Sequence, residues 1–378
     1  MGRYGLVAPL LALLSATFIV PLLMVVWTSV SDRELSTAMP DIARLVDGWN
    51  GALPLPPDAQ TLLADDIRKA APEHVAALER RLSYEDPKLS TLLRKTARTL
   101  RTEPGAQLDP LWSDVNTWQV LKRAAGPIDT FYLLSALDFR WEAGKGLTEI
   151  HEGGLYRMIF LRTVLIALFT TGFTVLLGFP LSFFLSRVGP TARAIGVLVV
   201  LLPFWTSIIV RTTAWIVLLQ TRGVINTALL KLGLIDRPLE LLYNRFAVIV
   251  VLTHVMLPFL VLPLLSAMRA VDPKLMQAAA SLGAAPFYAF RHVYIPQVLP
   301  GLLAGAMLVF VMSLGFYVTP ALVGGPGDQT IGAFIALYTT GTANWGLASS
   351  LGLALTALTI CLLALRAALP KRNQGAVG

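Results

Sequence analysis

Charged side chains are scarce in this sequence, and their scarcity excludes a soluble globular protein. Asp, Glu, Lys and Arg make up 14% of the 378 residues, whereas about 25% is usual in soluble domains. Apolar residues account for 55% of the chain. Cysteine is almost absent as well, because Cys361 is alone, and this excludes a disulfide within the chain. The composition therefore predicts a protein embedded in a membrane.

Carboxylates are rarer still outside one segment. Residues 31–155 hold 15 basic and 19 acidic side chains, while the rest of the chain holds 16 basic and four acidic ones. The basic side chains outside this segment lie beside apolar stretches, as they do in loops held on the cytoplasmic side of a membrane. The net charge of +8 therefore indicates that the lipid bilayer is a partner of the chain and that nucleic acid is not.

Motifs for catalysis and for cofactor or metal binding are missing. Gly144 and Lys145 come closest to a phosphate-binding loop, but Phe139 stands at its first glycine position and Gly146 follows the lysine. The histidines of residues 31–155 have no metal-ligand spacing between them. We therefore expect no catalytic residue, no metal site and no cofactor bound by this chain.

Six apolar stretches are long enough to span a bilayer, because about 20 helical residues cover its hydrocarbon core. They are residues 6–30, 158–185, 192–219, 246–268, 298–318 and 346–369. These stretches predict an all-α integral membrane protein with six transmembrane helices and a mainly helical periplasmic insert after the first. The predicted domains are a first transmembrane helix over residues 1–30, the insert over residues 31–155, a five-helix core over residues 156–370 and a tail over residues 371–378.

The basic residues at the two ends predict the orientation. Arg3 precedes the first stretch, and Lys371 and Arg372 follow the last. An even number of crossings returns the chain to the side on which it began. Because basic residues are retained on the cytoplasmic side, both termini are expected to be cytoplasmic and the insert periplasmic.

The segment over residues 272–297 is too polar to cross a bilayer and joins two of the apolar stretches. Asp272 can cap a helix that has Pro273 at its first position. Gly283 can end that helix in the left-handed conformation. Pro286 can begin a second short helix, and Pro296 can end it. The segment therefore predicts two short helices that meet at a glycine on the cytoplasmic side, and we call it the elbow.

A longer pattern runs through the elbow. It reads Gln-Ala-Ala from Gln277, then Leu-Gly-Ala, then Ile-Pro and finally Pro-Gly at residues 300 and 301. This pattern resembles the cytoplasmic EAA loop of bacterial ATP-binding-cassette (ABC) importer permeases, in which Glu usually stands at the position of Gln277. The matching residues are Ala278, Ala279, Leu282, Gly283, Ala284, Phe290, Val293, Pro296, Pro300 and Gly301.

The resemblance implies a non-catalytic permease subunit of an ABC importer, multi-pass in a bacterial inner membrane. Its implied partners are two copies of an ABC ATPase subunit that bind the ATP, a second permease subunit and a periplasmic solute-binding protein. The elbow would then carry the contact with the ATPase. The residues implied in this contact are Gln277, Ala278, Ala279, Leu282, Gly283, Ala284, Phe287, Phe290 and Arg291.

Two further stretches point to one branch of this family. Residues 202–207, Leu-Pro-Phe-Trp-Thr-Ser, and residues 211–216, Arg-Thr-Thr-Ala-Trp-Ile, are similar to the third span of spermidine/putrescine-type permeases. This resemblance implies a polyamine-like solute. Arg211 is one of few ionisable groups in the predicted spans, where such groups are usually functional. The residues expected to line the translocation path are Trp205, Thr206, Arg211, Thr212, Trp215, Phe316 and Tyr317.

Other solutes and other classes of protein stay open. The acidic residues outside the insert avoid every predicted span, so a polycation would meet aromatic faces and no carboxylate. An opine- or amino-acid-like anionic solute would suit Arg211 better. Two other classes of protein are alternatives. An ion-coupled secondary transporter is expected to show intramembrane acids and inverted repeats, and the sequence shows neither of these. A membrane enzyme is expected to show a set of catalytic residues, and the sequence shows none.

Overall fold

The computed structural model describes residues 8–368 apart from 104, 127, 143–145 and 151–153. Nearly every regular element in these residues is a helix, and two strands, Phe139–Glu142 and Gly146–Glu149, form one antiparallel hairpin. The all-α fold class is therefore confirmed. Arg3, Lys371, Arg372 and the predicted tail lie outside the described residues.

Six of the described helical stretches are long and apolar enough to cross a membrane, which confirms the predicted number. They are Ala8–Val30, Leu155–Arg187, Ile208–Lys231, Arg245–Ala270, Pro286–Gly315 and Trp345–Leu365. The first contains a π-helical turn over Ser15–Ile19, and the helix of the last extends to Ala368. We call them spans one to six. None of the six contains an Asp or a Glu.

The insert consists of short helices, most of which begin at proline or after a capping carboxylate. They are Glu34–Ala38, Pro40–Gly48, Ala59–Lys69, Pro72–Ser83, Pro87–Thr102, a 3-10 turn over Pro110–Ser113, Val115–Arg123 and Phe131–Ser135. The side chain of Asp86 accepts a hydrogen bond from the backbone N–H of Lys88, and Asp114 does the same for Asn116. Such caps satisfy backbone donors that a helix start leaves unpaired.

The core of the insert is built around two tryptophans. Trp112 and Trp118 are fully buried. Trp112 donates from Nε1 to Oγ1 of Thr96 over 2.8 Å, and Trp118 donates from Nε1 to the carbonyl oxygen of Trp112 over 2.7 Å. Each indole thus buries a large apolar surface with its single donor satisfied. The insert therefore has a core of its own, as a folded domain requires.

The contacts of the chain divide it into two compact units, and the first combines the insert with span one and the first part of span six. This unit comprises Met1–Gly154 and Ile335–Ala357. Ser350 donates from Oγ to the carbonyl oxygen of Ser29 over 3.2 Å. Gly346, at the start of span six, lies so close to the ring of Tyr132 that a Cβ atom would collide with it. Only glycine fits at this position without a shift of the ring.

The second unit, Leu155–Phe334 with Leu358–Gly378, is organised around spans two, four and five. Leu260 of span four is fully buried between the other two. A Cβ atom on Gly178 would lie 2.7 Å from Cδ2 of Leu260, and one on Gly305 would lie 3.0 Å from its Cδ1. Small residues on both neighbours therefore admit the leucine, which is how membrane helices achieve close packing.

The predicted third span over residues 192–219 is wrong as a continuous helix. The structure has a helix over Pro190–Leu201, a 3-10 turn over Leu202–Trp205 and a new helix over Ile208–Leu219. Ser207 begins the new helix, because its side chain accepts from the backbone N–H of Ile209 over 3.3 Å. The candidate span then continues through a turn to the helix Val224–Lys231.

Span five is followed by a broken segment rather than by a simple loop. It contains a helix over Val318–Val323, a 3-10 turn over Pro326–Asp328 and a helix over Ile331–Ala336 that ends in a π-helical turn, Leu337–Gly341. Breaks expose backbone groups that a membrane cannot solvate. Partners for these groups come from neighbouring helices, as described below.

Candidate functional site

The first helix of the elbow begins as the sequence predicts. Asp272 accepts a hydrogen bond on Oδ1 from the backbone N–H of Lys274 over 2.9 Å, and Pro273 is the first residue of the helix Pro273–Ser281. Proline suits this place because its missing N–H would be unpaired in any case. The start of the elbow is therefore fixed by local chemistry.

The bend of the elbow depends on Gly283. Its φ is +82°, in the left-handed region that side chains other than that of glycine rarely adopt. Its N–H donates to the carbonyl oxygen of Ala280 over 2.9 Å, and the N–H of Ala284 donates to that of Ala279 over 3.0 Å. This pair of bonds is a Schellman cap, which satisfies the last carbonyls of a helix. The predicted left-handed end at Gly283 is confirmed.

The second half of the elbow differs from the prediction, because Pro296 does not end a helix. The chain is helical from Pro286 to Gly315, with a π-helical turn over Phe290–Tyr294. The N–H of Ile295 reaches back to the carbonyl oxygen of Phe290, and Pro296 follows directly. The wider turn shifts the hydrogen-bond pattern where the proline has no donor to offer. The elbow therefore runs without a break into span five.

The predicted contact residues fall into two groups. Exposed on the elbow are Gln277, Ala278, Leu282, Gly283, Phe287 and Arg291, while Ala279, Ala284 and Phe290 are half-buried. Phe290 stacks on Tyr294 with ring centroids 5.4 Å apart, and it meets Phe183 of span two edge-on at 5.6 Å. Phe290 therefore anchors the elbow to span two, whereas the exposed group is free to meet another protein.

Five of the seven predicted path residues lie on the two sides of the break in the predicted third span, and the other two follow span five. Trp205 is exposed in the 3-10 turn, and Thr206 donates from Oγ1 to the carbonyl oxygen of Pro203. Arg211 and Trp215 lie one helical turn apart on the helix Ile208–Leu219, so they share a face. Nε of Arg211 is buried and has no hydrogen-bond partner among the described residues.

Two contacts connect this helix to its neighbours. Oγ1 of Thr212 lies 3.4 Å from Oγ1 of Thr319 in the broken segment. Trp215 donates from Nε1 to Nδ1 of His254 in span four over 3.2 Å. Phe316 packs against the same buried cluster as Trp215, and Tyr317 is exposed at the break after span five. The structure thus brings Thr212, Trp215 and Phe316 to the junction of spans three, four and five.

The residues that hold the broken segment were missed in the sequence. Thr163 of span two accepts on Oγ1 from the N–H of Ile331 over 3.0 Å. Thr330 donates from Oγ1 to the carbonyl oxygen of Phe316 over 3.1 Å, and Arg162 donates from Nη1 to that of Gln329 over 3.4 Å. The available signal was the run of glycine and proline at 324–326, which indicates a break.

An apolar cavity of about 330 Å³ adjoins the Trp215–His254 pair. Its walls are aromatic and aliphatic, and they are Phe173, Leu177, Trp215, Phe246, Ile249, Val250, Thr253, His254 and Leu257. Among the described residues, no group of three or more His, Cys, Asp or Glu side chains could hold a metal ion. The chemistry available in this cavity is therefore that of aromatic and aliphatic faces, with the side chains of Thr253 and His254.

Comparison with known protein families gives one match over more than half of the chain. A family model described as binding-protein-dependent transport system inner membrane component matches residues 147–374. The match includes the elbow, spans two to six and the broken segment. It begins at residue 147, near the end of the insert.

Several named proteins are similar over more than half of the chain. The spermidine/putrescine transport system permease protein PotB of Haemophilus influenzae is 32% identical over 209 residues, which cover 55% of this chain and 73% of that protein. PotB of Escherichia coli is 32% identical over 202 residues, covering 53% and 74%. The inner membrane ABC transporter permease protein YdcU of Escherichia coli is 33% identical over 228 residues, covering 57% and 71%.

The solved structures that the chain matches include a bacterial ABC transporter involved in the import of the acidic polysaccharide alginate. Its chain superimposes with a TM-score of 0.44 at 20% sequence identity, and the match covers 57% of this chain and 80% of that chain.

Proposed function

We infer, because the chain belongs to the family of binding-protein-dependent transport system inner membrane components, that it admits a polyamine-like solute. We also infer that a partner protein bound at the elbow drives the movement of its spans. The chain is a multi-pass inner membrane protein and the non-catalytic permease subunit of an ABC importer.

The geometry of the elbow is the observation that carries the proposal for coupling. Leu282 is 89% exposed and Phe287 is 73% exposed, on either side of the bend at Gly283. Large apolar side chains at such a tip are suited to a pocket on another protein. Because the helix from Pro286 continues into span five, a push on the tip would move that span as a rigid body.

The proposed partner at the elbow is an ABC ATPase, which binds the ATP, in two copies. A second permease subunit and a periplasmic solute-binding protein complete the proposed assembly. The proposed orientation is supported by the basic residues: Arg187 ends span two, Arg193 lies in the next helix and Arg269 lies in the last turn of span four. By the positive-inside rule these ends, the elbow and both termini are cytoplasmic, and the insert is periplasmic.

A polyamine-like solute is supported by the relatives and by the aromatic cavity. Two of the similar proteins are named as spermidine/putrescine permeases. The cavity beside His254 presents the rings of Phe173, Trp215 and Phe246. An ammonium group over an aromatic face gains about 0.5–2 kcal/mol, more when water is excluded. A chain of ammonium groups could therefore pass without an intramembrane carboxylate.

One observation favours a second class of solute, which carries a carboxylate. The buried Nε of Arg211 has no partner among the described residues, and no Asp or Glu lies in any of the six spans to neutralise the guanidinium group. A carboxylate would supply the missing acceptor. It would also pair with the charge in the bidentate geometry that arginine prefers.

Uptake into vesicles that contain the assembled importer tests the two solutes directly. We expect ATP-dependent accumulation of labelled spermidine, competed by unlabelled putrescine and not by a carboxylated opine. Vesicles that contain the partners without this chain are the control. Accumulation of the opine, with spermidine at the level of the control, would replace the polyamine assignment by the anionic one.

A further inference from the structure

A buried arginine marks the place where the insert joins the membrane. Asp32 lies two residues after the end of span one, and Arg81, which is 1% exposed, donates from Nε to its Oδ2 over 2.6 Å. Nη1 of Arg81 donates to Oε2 of Glu85 over 3.1 Å. Nη2 is also buried, but it has no hydrogen-bond partner among the described residues and lies 3.9 Å from Oδ2 of Asp129.

This arginine forms part of the wall of a cavity of about 430 Å³. Its guanidinium carbon lies 3.4 Å from the ring centroid of Phe131, which fixes its plane. The residues that line the cavity are Arg81, Glu85, Arg123, Asp129, Thr130, Phe131, Leu134 and Arg140. The cavity therefore combines three guanidinium groups with two carboxylates and a short apolar wall.

One hydrogen-bond donor at the wall of this cavity, Nη2 of Arg81, has no acceptor among the described residues. Both carboxylate oxygens of Glu85 already accept from guanidinium groups, one from Arg81 and the other from Arg123. A buried donor without a partner costs about 1–3 kcal/mol, and more when it is charged. An oxyanion would accept from Nη2 of Arg81, because a charged acceptor forms the stronger kind of hydrogen bond with a guanidinium group.

We propose that this cavity binds a phosphate group, held by Arg81, Arg123 and Arg140 and carried on a body that packs against Phe131. The three arginines come from different elements: a helix, the end of a second helix and a strand. They can therefore surround a tetrahedral group from several sides. The volume exceeds that of a bare phosphate, which leaves room for a headgroup or a small organic phosphate.

The position of the cavity admits two sources of phosphate. The N–H of Asp129 donates to the carbonyl oxygen of Val30, the last residue of span one, over 2.9 Å, and Ile128 forms a bridge with Ser31. One wall of the cavity is thus tied to the end of a membrane span. The phosphate can belong to a phospholipid headgroup at the membrane surface or to a soluble compound.

The soluble source is tested with inorganic phosphate on the purified full-length chain. We expect phosphate to raise the melting temperature, whereas chloride at equal ionic strength does not. In Arg123→Gln and in Arg140→Gln, the phosphate concentration that gives half of the maximal rise in melting temperature should increase about tenfold or more, as expected for a lost charged hydrogen bond. Arg44→Gln, at a side chain 80% exposed elsewhere on the insert, should leave it unchanged.

The lipid source is tested by native mass spectrometry of the same four proteins after incubation with phosphatidylglycerol or phosphatidylcholine. Retention of either phospholipid by the parent chain and by Arg44→Gln, with loss in both other variants, supports the site with a headgroup as its ligand. A rise in melting temperature with inorganic phosphate in the parent chain and in Arg44→Gln, weakened in both other variants, supports the site with a soluble phosphate as its ligand. The proposal is overturned when neither probe binds, or when Arg44→Gln weakens binding as much as Arg123→Gln and Arg140→Gln do.

Discussion

The indole of Trp215 donates a hydrogen bond from Nε1 to Nδ1 of His254 over 3.2 Å and so links spans three and four. Indole can only donate, so Nδ1 of the histidine must be the acceptor. The neutral ring then carries its proton on Nε2. This bond gives His254 a structural role in holding two helices together, and that role does not require the histidine to transfer protons.

Substitution of His254 separates these two roles. His254→Asn keeps a side-chain acceptor, and we expect transport with an unchanged pH profile. His254→Leu removes the acceptor and leaves the indole donor unpaired, which should lower the stability of the purified chain by about 1–3 kcal/mol. Uptake across pH 5.5–8 and thermal unfolding in detergent are the measurements. Loss of transport in a fully assembled His254→Asn complex would contradict a purely structural role for the histidine.

Gly283→Pro should uncouple the importer. Proline is confined to φ near −65°, while the bend needs +82°, and proline also lacks the N–H that bonds to Ala280. The variant should insert and assemble, but ATP hydrolysis should no longer rise when the loaded binding protein is added. Gly283→Asn is the matched control, because asparagine tolerates the left-handed region and should retain most of the stimulation. Full stimulation in the proline variant contradicts the role of the elbow.

Arg211→Gln distinguishes the two classes of solute. A carboxylated solute that pairs with the guanidinium group should lose about tenfold or more in uptake, as for a lost charged hydrogen bond. A polyamine is repelled by the same charge, so its uptake should be unchanged or increased. Basal ATP hydrolysis reports on intact assembly. A strong loss of spermidine uptake in an assembled Arg211→Gln complex would contradict the polyamine path beside this residue.

Stability of the insert should fall as pH rises from about 4 to about 8. Burial raises the pKa of Asp32 from its ordinary 3.8 to about 8, with Arg81 opposing this effect and Glu34 adding to it. Between these values the folded state holds a proton that the unfolded state releases, so a rise in pH favours unfolding. Asp32→Asn, which mimics the protonated form, should flatten the pH dependence of the melting temperature.

Asp109→Asn is the control for this effect. A hydrogen bond from Lys95 lowers the pKa of Asp109, so this carboxyl is ionised in both states above pH 5. Its removal should leave the slope of melting temperature against pH unchanged. An unaltered slope in Asp32→Asn would show that another group titrates in this range.

Cysteine labelling tests the orientation. In a Cys361→Ala background, Ser113→Cys on the exposed surface of the insert should react with a membrane-impermeant thiol reagent added to intact spheroplasts. Ser281→Cys on the elbow should react only after permeabilisation. Both serines are exposed, so access to their side chains is decided by the membrane. The reverse pattern would invert the orientation.

The sequence predicts features whose cause is local. Gly283 needs no neighbour to favour a left-handed bend, and Asp272 with Pro273 defines a helix start by itself. Hydropathy likewise predicts the number of spans, because a bilayer demands about 20 apolar residues at each crossing. These parts of the fold and of the elbow could be predicted without a structure.

Features that depend on contacts between distant parts of the chain, or on the exact local hydrogen-bond pattern, could not be predicted. Hydropathy joins residues 192–219 into one span because it averages over the cap at Ser207. Pro296 reads as a stop until the π-helical turn before it is known. The broken segment after Gly315 depends on Thr163, more than 150 residues earlier in the chain, and no local pattern reveals such a contact.

The collision that forbids a side chain at Gly346 has a consequence for biosynthesis. A ribosome adds roughly 5–20 residues per second, so the 214 residues from Tyr132 to Gly346 take roughly 10–40 s to make. During that time the surface of the insert around Tyr132 awaits a helix that has not yet been translated. A nascent chain that stalls before Gly346 would keep this surface uncovered. Chaperones and proteases could then distinguish unfinished chains from complete ones by binding to this uncovered surface.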